Sequence, residues 1–75
     1  MSVSKSILVS VQSIARTAIT SDCDMLSSAN LCLDDSVSLA DRGDLGRAFL
    51  RAVDSIEYSC GINSSEWKQA RNLLN

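Results

Sequence analysis

From Leu26 to Leu74 the apolar residues recur at helical spacing, and glycine interrupts that pattern at two corners, Gly43 and Gly61. A repeat of three and four residues places its apolar members on one side of an α-helix, and glycine supplies the left-handed corner that ends one. The chain has no proline and only three glycines in 75 residues, too few turn residues for a strand-rich fold. The pattern predicts an all-α fold in which residues 1–75 form a single helical domain. That domain is a small antiparallel helical bundle of about four helices, at residues 3–20, 22–42, 44–60 and 64–74.

In the first predicted helix Val3, Ile7, Val11, Ile14 and Ala18 form the inward stripe, with Leu8, Ala15 and Ile19 beside it. Val9-Ser10-Val11 alternates as a strand would, but a lone strand has no pairing partner in this chain. Ser21 and Asp24 form a variant capping pair for the second helix, whose inward residues are Met25, Leu26, Ala29, Cys32, Leu33, Val37 and Ala40. Leu31 and Leu39 widen that stripe. After the Gly43-Asp44 corner, Leu45, Ala48, Phe49, Ala52, Val53, Ile56 and Cys60 give the cleanest stripe of the chain. Arg47, Arg51, Asp54 and Glu57 fall outside it, as an ordinary solvated face. Asn63 with Glu66 three residues later predicts a capping box for a short last helix, with Trp67, Ala70, Leu73 and Leu74 on its apolar side.

The middle pair of helices resembles a tetratricopeptide or microtubule-interacting-and-transport helical hairpin over residues 29–58. The likeness is carried by the corner Asp41-Arg42-Gly43-Asp44-Leu45, by Ala48-Phe49, and by Ser55-Ile56 two turns on. Ala48 and Ser55 are small at matching steps, where two such helices approach closely. Ala52 stands where a bulky aromatic is usual, and Asp35-Ser36 replaces a Leu-Gly pair. The resemblance implies docking of a peptide or helix of another protein in an exposed groove.

Chemistry is sparsely supplied. There is no histidine, so a nucleophile would have no imidazole base beside it, and the stripe turns Cys60 inward, away from reagents. Cys23, Cys32 and Cys60 are odd in number and contain no CxxC pair, which favours buried free thiols over disulfides or a zinc site. Asp22-Cys23-Asp24 and Asp34-Asp35 lack the glycine and closing glutamate of a calcium loop. No enzyme activity, no metal and no cofactor are expected. Arg42-Gly43-Asp44 spells an integrin-binding string and Asn63-Ser64-Ser65 a glycosylation acceptor, but each has a structural account, as a helix corner and a helix cap.

The net charge is −2 and the pI about 4.7, which argues against direct nucleic-acid binding. A DNA-binding helix-turn-helix would need Arg42, Arg47 and Arg51 on an acid-free surface, and Asp44 and Asp54 lie among them. Residues 1–21 carry Lys5 and Arg16 with no acid, while residues 22–41 carry five aspartates with no base. The serine-rich first segment has the composition of a transit peptide, and it is read as part of the fold, with a core helix, a swapped helix and a processed presequence all open. Its apolar run is too short for a secretory signal or a membrane span, so the expectation is a cytoplasmic protein with no membrane contact.

At 75 residues a single core is near the lower limit of stability, so support from a partner or a second copy is expected. The reading that follows is a non-enzymatic protein-protein interaction module, a small inhibitor or adaptor that occludes a basic surface of a target protein. By size and charge alone, phage and mobile-element proteins such as anti-CRISPR inhibitors belong to this class. Asp34, Asp35 and Asp41 would meet the basic surface, and Trp67 and Tyr58 are the aromatic anchors. Two alternatives stand beside it. One is a homo-oligomeric structural or regulatory subunit, a homodimer packed through the first helix. The other is a binder of a small apolar ligand held in a cavity between helices.

Overall fold

The computed structural model describes residues 3–20 and 23–74. Four helices follow in order: α1 (Lys5–Ala18), α2 (Leu26–Asp41), α3 (Leu45–Cys60) and α4 (Ser65–Asn72). No strand occurs among the described residues, so the all-α expectation holds. None of the helices among them is long and apolar enough to cross a membrane.

Ser4 starts α1 by accepting the Ile7 N–H at 3.2 Å on its hydroxyl. Val3, Leu8, Val11 and Ala15 are buried, while Ile7, Ile14 and Ala18 of the expected inward stripe are half-buried, so the covered face is turned toward the residues expected beside it. Gln12 is buried with them, which the polar character of glutamine concealed. Helix α2 begins four residues later than expected. Its N-cap is Met25 with no side-chain cap, Asp24 lies in the preceding turn, and Ser21 and Asp22 fall outside the described residues. The reason is local: the Cys23 N–H donates to the Thr20 carbonyl at 3.2 Å, and the Cys23 thiol reaches the Ser59 carbonyl at 3.7 Å. The chain is thereby held in a turn against the end of α3 before it can wind.

The α2–α3 corner follows the sequence closely. Gly43 takes φ +81°, a conformation that costs a side-chain-bearing residue about 1–2 kcal/mol, and the Asp44 N–H returns to the Leu39 carbonyl at 2.9 Å. Asp44 then caps α3 by accepting the Arg47 N–H at 3.4 Å. The two helices run antiparallel along a rail of small residues, Ala29 and Ser36 on α2 and Ala48, Ala52 and Ser55 on α3, all without solvent exposure. Both serines spend their hydroxyls across the interface. Ser55 donates to the Ala29 carbonyl at 2.8 Å and Ser36 to the Ala48 carbonyl at 2.6 Å.

Helix α3 is the centre of the molecule and packs against each of the other three helices. Phe49, Val53 and Ile56 from α3 meet Leu8, Val11 and Ala15 from α1, Leu33 from α2 and Ala70 from α4 in one core. Helix α1 joins the hairpin through a buried polar chain, in which the Gln12 side-chain amide donates to the Ser36 hydroxyl at 3.0 Å.

Three residues expected to face inward or widen the inward stripe of α2 do not. Met25, Leu31 and Val37 are 48%, 61% and 37% exposed, and Ser36 takes the inward place beside Val37. Helix α2 meets α1 only lightly and α4 not at all, so only the narrow side facing α3 is covered. At the next corner Asn63 is not the cap of α4. It adopts φ +70° after Gly61, which places it in the left-handed corner that asparagine tolerates, and Ser64 becomes the N-cap, accepting the Trp67 N–H at 3.2 Å. Glu66 is therefore left without a capping-box role.

Candidate functional site: the outer face of α2

Seven residues make close to two turns of helix, so Asp34 and Asp41 lie on the same side of α2. Ser27, Asn30, Leu31, Val37 and Ser38 share that side, and all seven are exposed. The face is thus polar and acidic with two aliphatic side chains set into it. Asp34 and Asp41 have no ion-pair partner among the described residues.

Asp35 lies one residue on and turns toward α3. Its carboxylate meets the Arg51 guanidinium at 3.1 Å, and a second Arg51 nitrogen meets Asp54 at 3.1 Å. The Asp35 hydrogen bond raises the Arg51 pKa above its ordinary value. All three side chains are between a third and a half exposed, so each pair contributes at most about 1 kcal/mol. The three aspartates therefore do not act alike: Asp34 and Asp41 present uncompensated charge, whereas Asp35 is neutralised within the hairpin. Arg51, expected on an ordinary solvated face, bridges α3 to Asp35 of α2, and Asp54 braces it from within α3.

The aromatic residues are separated. Trp67 on α4 is half-buried, donates its indole N–H to Glu57 at 3.0 Å, and lies under the Arg71 guanidinium at 5.6 Å from the ring centre. It clasps α4 onto α3, and α4 makes no contact with α2. Tyr58 is exposed near the end of α3. The bond between Ser55 and Ala29 sets the hairpin register and puts Tyr58 at the same end as Met25, with Ile62 just beyond. Met25 and Ile62 are exposed apolar residues that sequence reasoning did not single out for contact, because helical periodicity turned the first inward and gave the second no place.

The thiols are all free. Burial pushes the Cys32 thiol pKa up, and the same cause acts on Cys60, aided by the Glu66 carboxylate that receives its S–H at 3.1 Å. Glu66 is in turn held below the usual carboxylate range, first by the Ser65 hydroxyl and then by the Cys60 thiol. Cys32 is accordingly expected to alkylate with iodoacetamide at pH 8 at least ~10-fold more slowly in the folded protein than in urea. Mass spectrometry of a timed quench reads this, and equal rates would mean that the rail between α2 and α3 opens freely. No cluster of three or more metal-binding side chains occurs among the described residues.

Two clefts among the described residues bear on ligand binding. One, of about 390 Å³, lies between α1 and α4 and is lined by Ser13, Ile14, Thr17, Ala18, Glu66 and Gln69. The other, of about 350 Å³, lies at the α2–α3 corner among Asp35, Ser38, Leu39, Arg42, Arg47 and Arg51. The corner cleft is mainly polar, which is poor lining for the small apolar ligand considered from sequence, whereas the α1–α4 cleft mixes Ile14 and Ala18 with polar groups. Comparison of the chain with protein-family models, with curated proteins and with solved structures returned no match.

Proposed function

We propose that this chain is a non-enzymatic protein-binding module that acts as a small inhibitor or adaptor by laying the outer face of α2 on a basic surface of a target protein. The observation that carries this reading is the exposure of Leu31 and Val37 on the same side of the helix as the uncompensated Asp34 and Asp41. Isolated exposed aliphatic residues are common, but here they alternate with charge along one stripe of about three turns. Apolar area supplies affinity at about 25 cal/mol per Å² buried, while the aspartates steer encounter and reject acidic surfaces. The implied partner is a protein patch with lysine or arginine around an apolar centre. The exposed end formed by Met25, Tyr58 and Ile62 supports a second reading, self-association into a homodimer, because apolar residues at the edge of a small domain gain most from a partner.

The test is to recover the partner on immobilised wild-type chain and then follow its binding by interferometry. Neutralising Asp34→Asn together with Asp41→Asn is expected to slow association about 10-fold at low ionic strength, with the difference shrinking as salt is added. Leu31→Ser is expected to hasten dissociation instead. A partner bound equally well by wild type and by both variants overturns the assignment to α2. A chain that retains only itself, and sediments as a dimer, transfers the function to self-assembly.

A further inference from the structure

We propose that the cleft at the α2–α3 corner is a binding site for a phosphate monoester, held by Arg42, Arg47 and Arg51. The chain has seven basic residues and a net charge of −2, yet three of those seven line this single cleft. Their approach is a product of the fold. Arg47 and Arg51 are one turn apart on α3, and Arg42 follows the last turn of α2, which the Gly43 corner folds back beside α3.

The acids nearby do not cancel the site. Asp35 is the only carboxylate in the lining, and it is fixed on Arg51 at 3.1 Å, with Asp54 gripping the other side of the same guanidinium. Arg51 thus forms a rigid wall. Asp44 spends its carboxylate on the α3 cap and on a 3.5 Å contact with Arg47, whose side chain is 74% exposed. A contact of that kind holds Arg47 by no more than about 1 kcal/mol, so an anion of higher charge can draw it away. Arg42 has no ion pair among the described residues, and Asp41 beside it belongs to the outer face of α2. The lining carries three arginines and one carboxylate, while Asp54 and Asp44 each contact one of those arginines from outside it; Arg42 is the arginine of the three with no ion pair among the described residues, and the Ser38 hydroxyl is a further donor.

The number of donors selects the ligand class. Arg42, Arg47, the Arg51 N–H groups not spent on Asp35 and Asp54, and the Ser38 hydroxyl together offer more donors than one carboxylate can accept, whereas a phosphate monoester brings three terminal oxygens and nearly two negative charges. A volume of about 350 Å³ accommodates the phosphate with a small organic group attached.

The experiment is a titration of the ¹⁵N-labelled chain with inorganic phosphate, phenyl phosphate and acetate at constant ionic strength, followed by amide chemical shifts. Saturable shifts clustered between Ser38 and Arg51 are expected for both phosphates, with acetate at least ~10-fold weaker. The double variant Arg42→Gln and Arg47→Gln is expected to lose at least ~10-fold in affinity, while Lys68→Gln on α4 binds as wild type does. Both altered arginines are exposed, and circular dichroism checks that the variant keeps its helices. Shifts that never saturate, equal affinity for acetate, or unchanged binding by the folded double variant would each overturn the site.

Discussion

Replacing Phe49 by alanine is expected to unfold a large share of the protein at room temperature. Phe49 is the largest side chain with no solvent exposure, and it sits on the helix that every other helix packs against. Truncating a buried phenylalanine costs about 3–5 kcal/mol, because the transfer energy is lost and a cavity remains. A chain of this length has a total stability of only about 4–11 kcal/mol at the usual 0.05–0.15 kcal/mol per residue. Urea titration followed by circular dichroism measures the loss, and Phe49→Leu, which keeps most of the volume, should cost less than half as much. A loss below ~1 kcal/mol for Phe49→Ala would mean that the core does not centre on α3.

Ser36→Ala should be the most damaging of the small polar substitutions. The Ser36 hydroxyl both donates to the Ala48 carbonyl and accepts from the Gln12 amide, with no solvent to replace either partner. Leaving buried polar groups unpaired costs about 1–3 kcal/mol, so the expected loss is ~2 kcal/mol, or about 8–16 °C in melting temperature for a domain of this size. Adding Gln12→Met to Ser36→Ala should restore part of that loss, since it removes the amide that lost its partner. Strictly additive losses in thermal melts would show that the Gln12–Ser36 bond does not couple α1 to the hairpin.

How far these features could be read in advance depended on what each helix touches. Helix α3 was legible because it is surrounded: apart from Ser55, which bonds the Ala29 carbonyl, its covered residues from Leu45 to Cys60 are the apolar ones of the expected stripe. Helix α2 was less so, since a wide stripe was expected where only one neighbour exists. Val37 was assigned inward on hydrophobicity and Ser36 was left out of the stripe, but close helix approach favours a small residue whose hydroxyl can reach the opposing backbone. The shift of the α4 cap from Asn63 to Ser64 turned on a positive φ, to which the spacing to Glu66 is blind. At the candidate site, the seven-residue interval between Asp34 and Asp41 already places them on one face. The pairing of Asp35 with Arg51 is a tertiary contact between residues sixteen apart, and no local rule specifies it. The arginine cleft was obscured for a related reason: Asp44 and Asp54 appear in sequence as charges that dilute the basic residues, whereas in three dimensions one is a helix cap and the other a brace behind Arg51.

The rail of alanine and serine between α2 and α3 divides the second helix into two regimes of mutational freedom. On its inner side a single added methylene has nowhere to go, because Ala29, Ser36, Ala48, Ala52 and Ser55 are fully enclosed and overpacking at such sites costs about 1–3 kcal/mol. On its outer side Ser27, Asn30, Leu31, Asp34, Val37, Ser38 and Asp41 are exposed, where substitutions usually change stability by no more than about 0.5 kcal/mol. A library randomised at those seven positions should therefore yield mostly folded proteins that differ in what they recognise, so that recognition by this helix can diversify while its scaffold stays fixed.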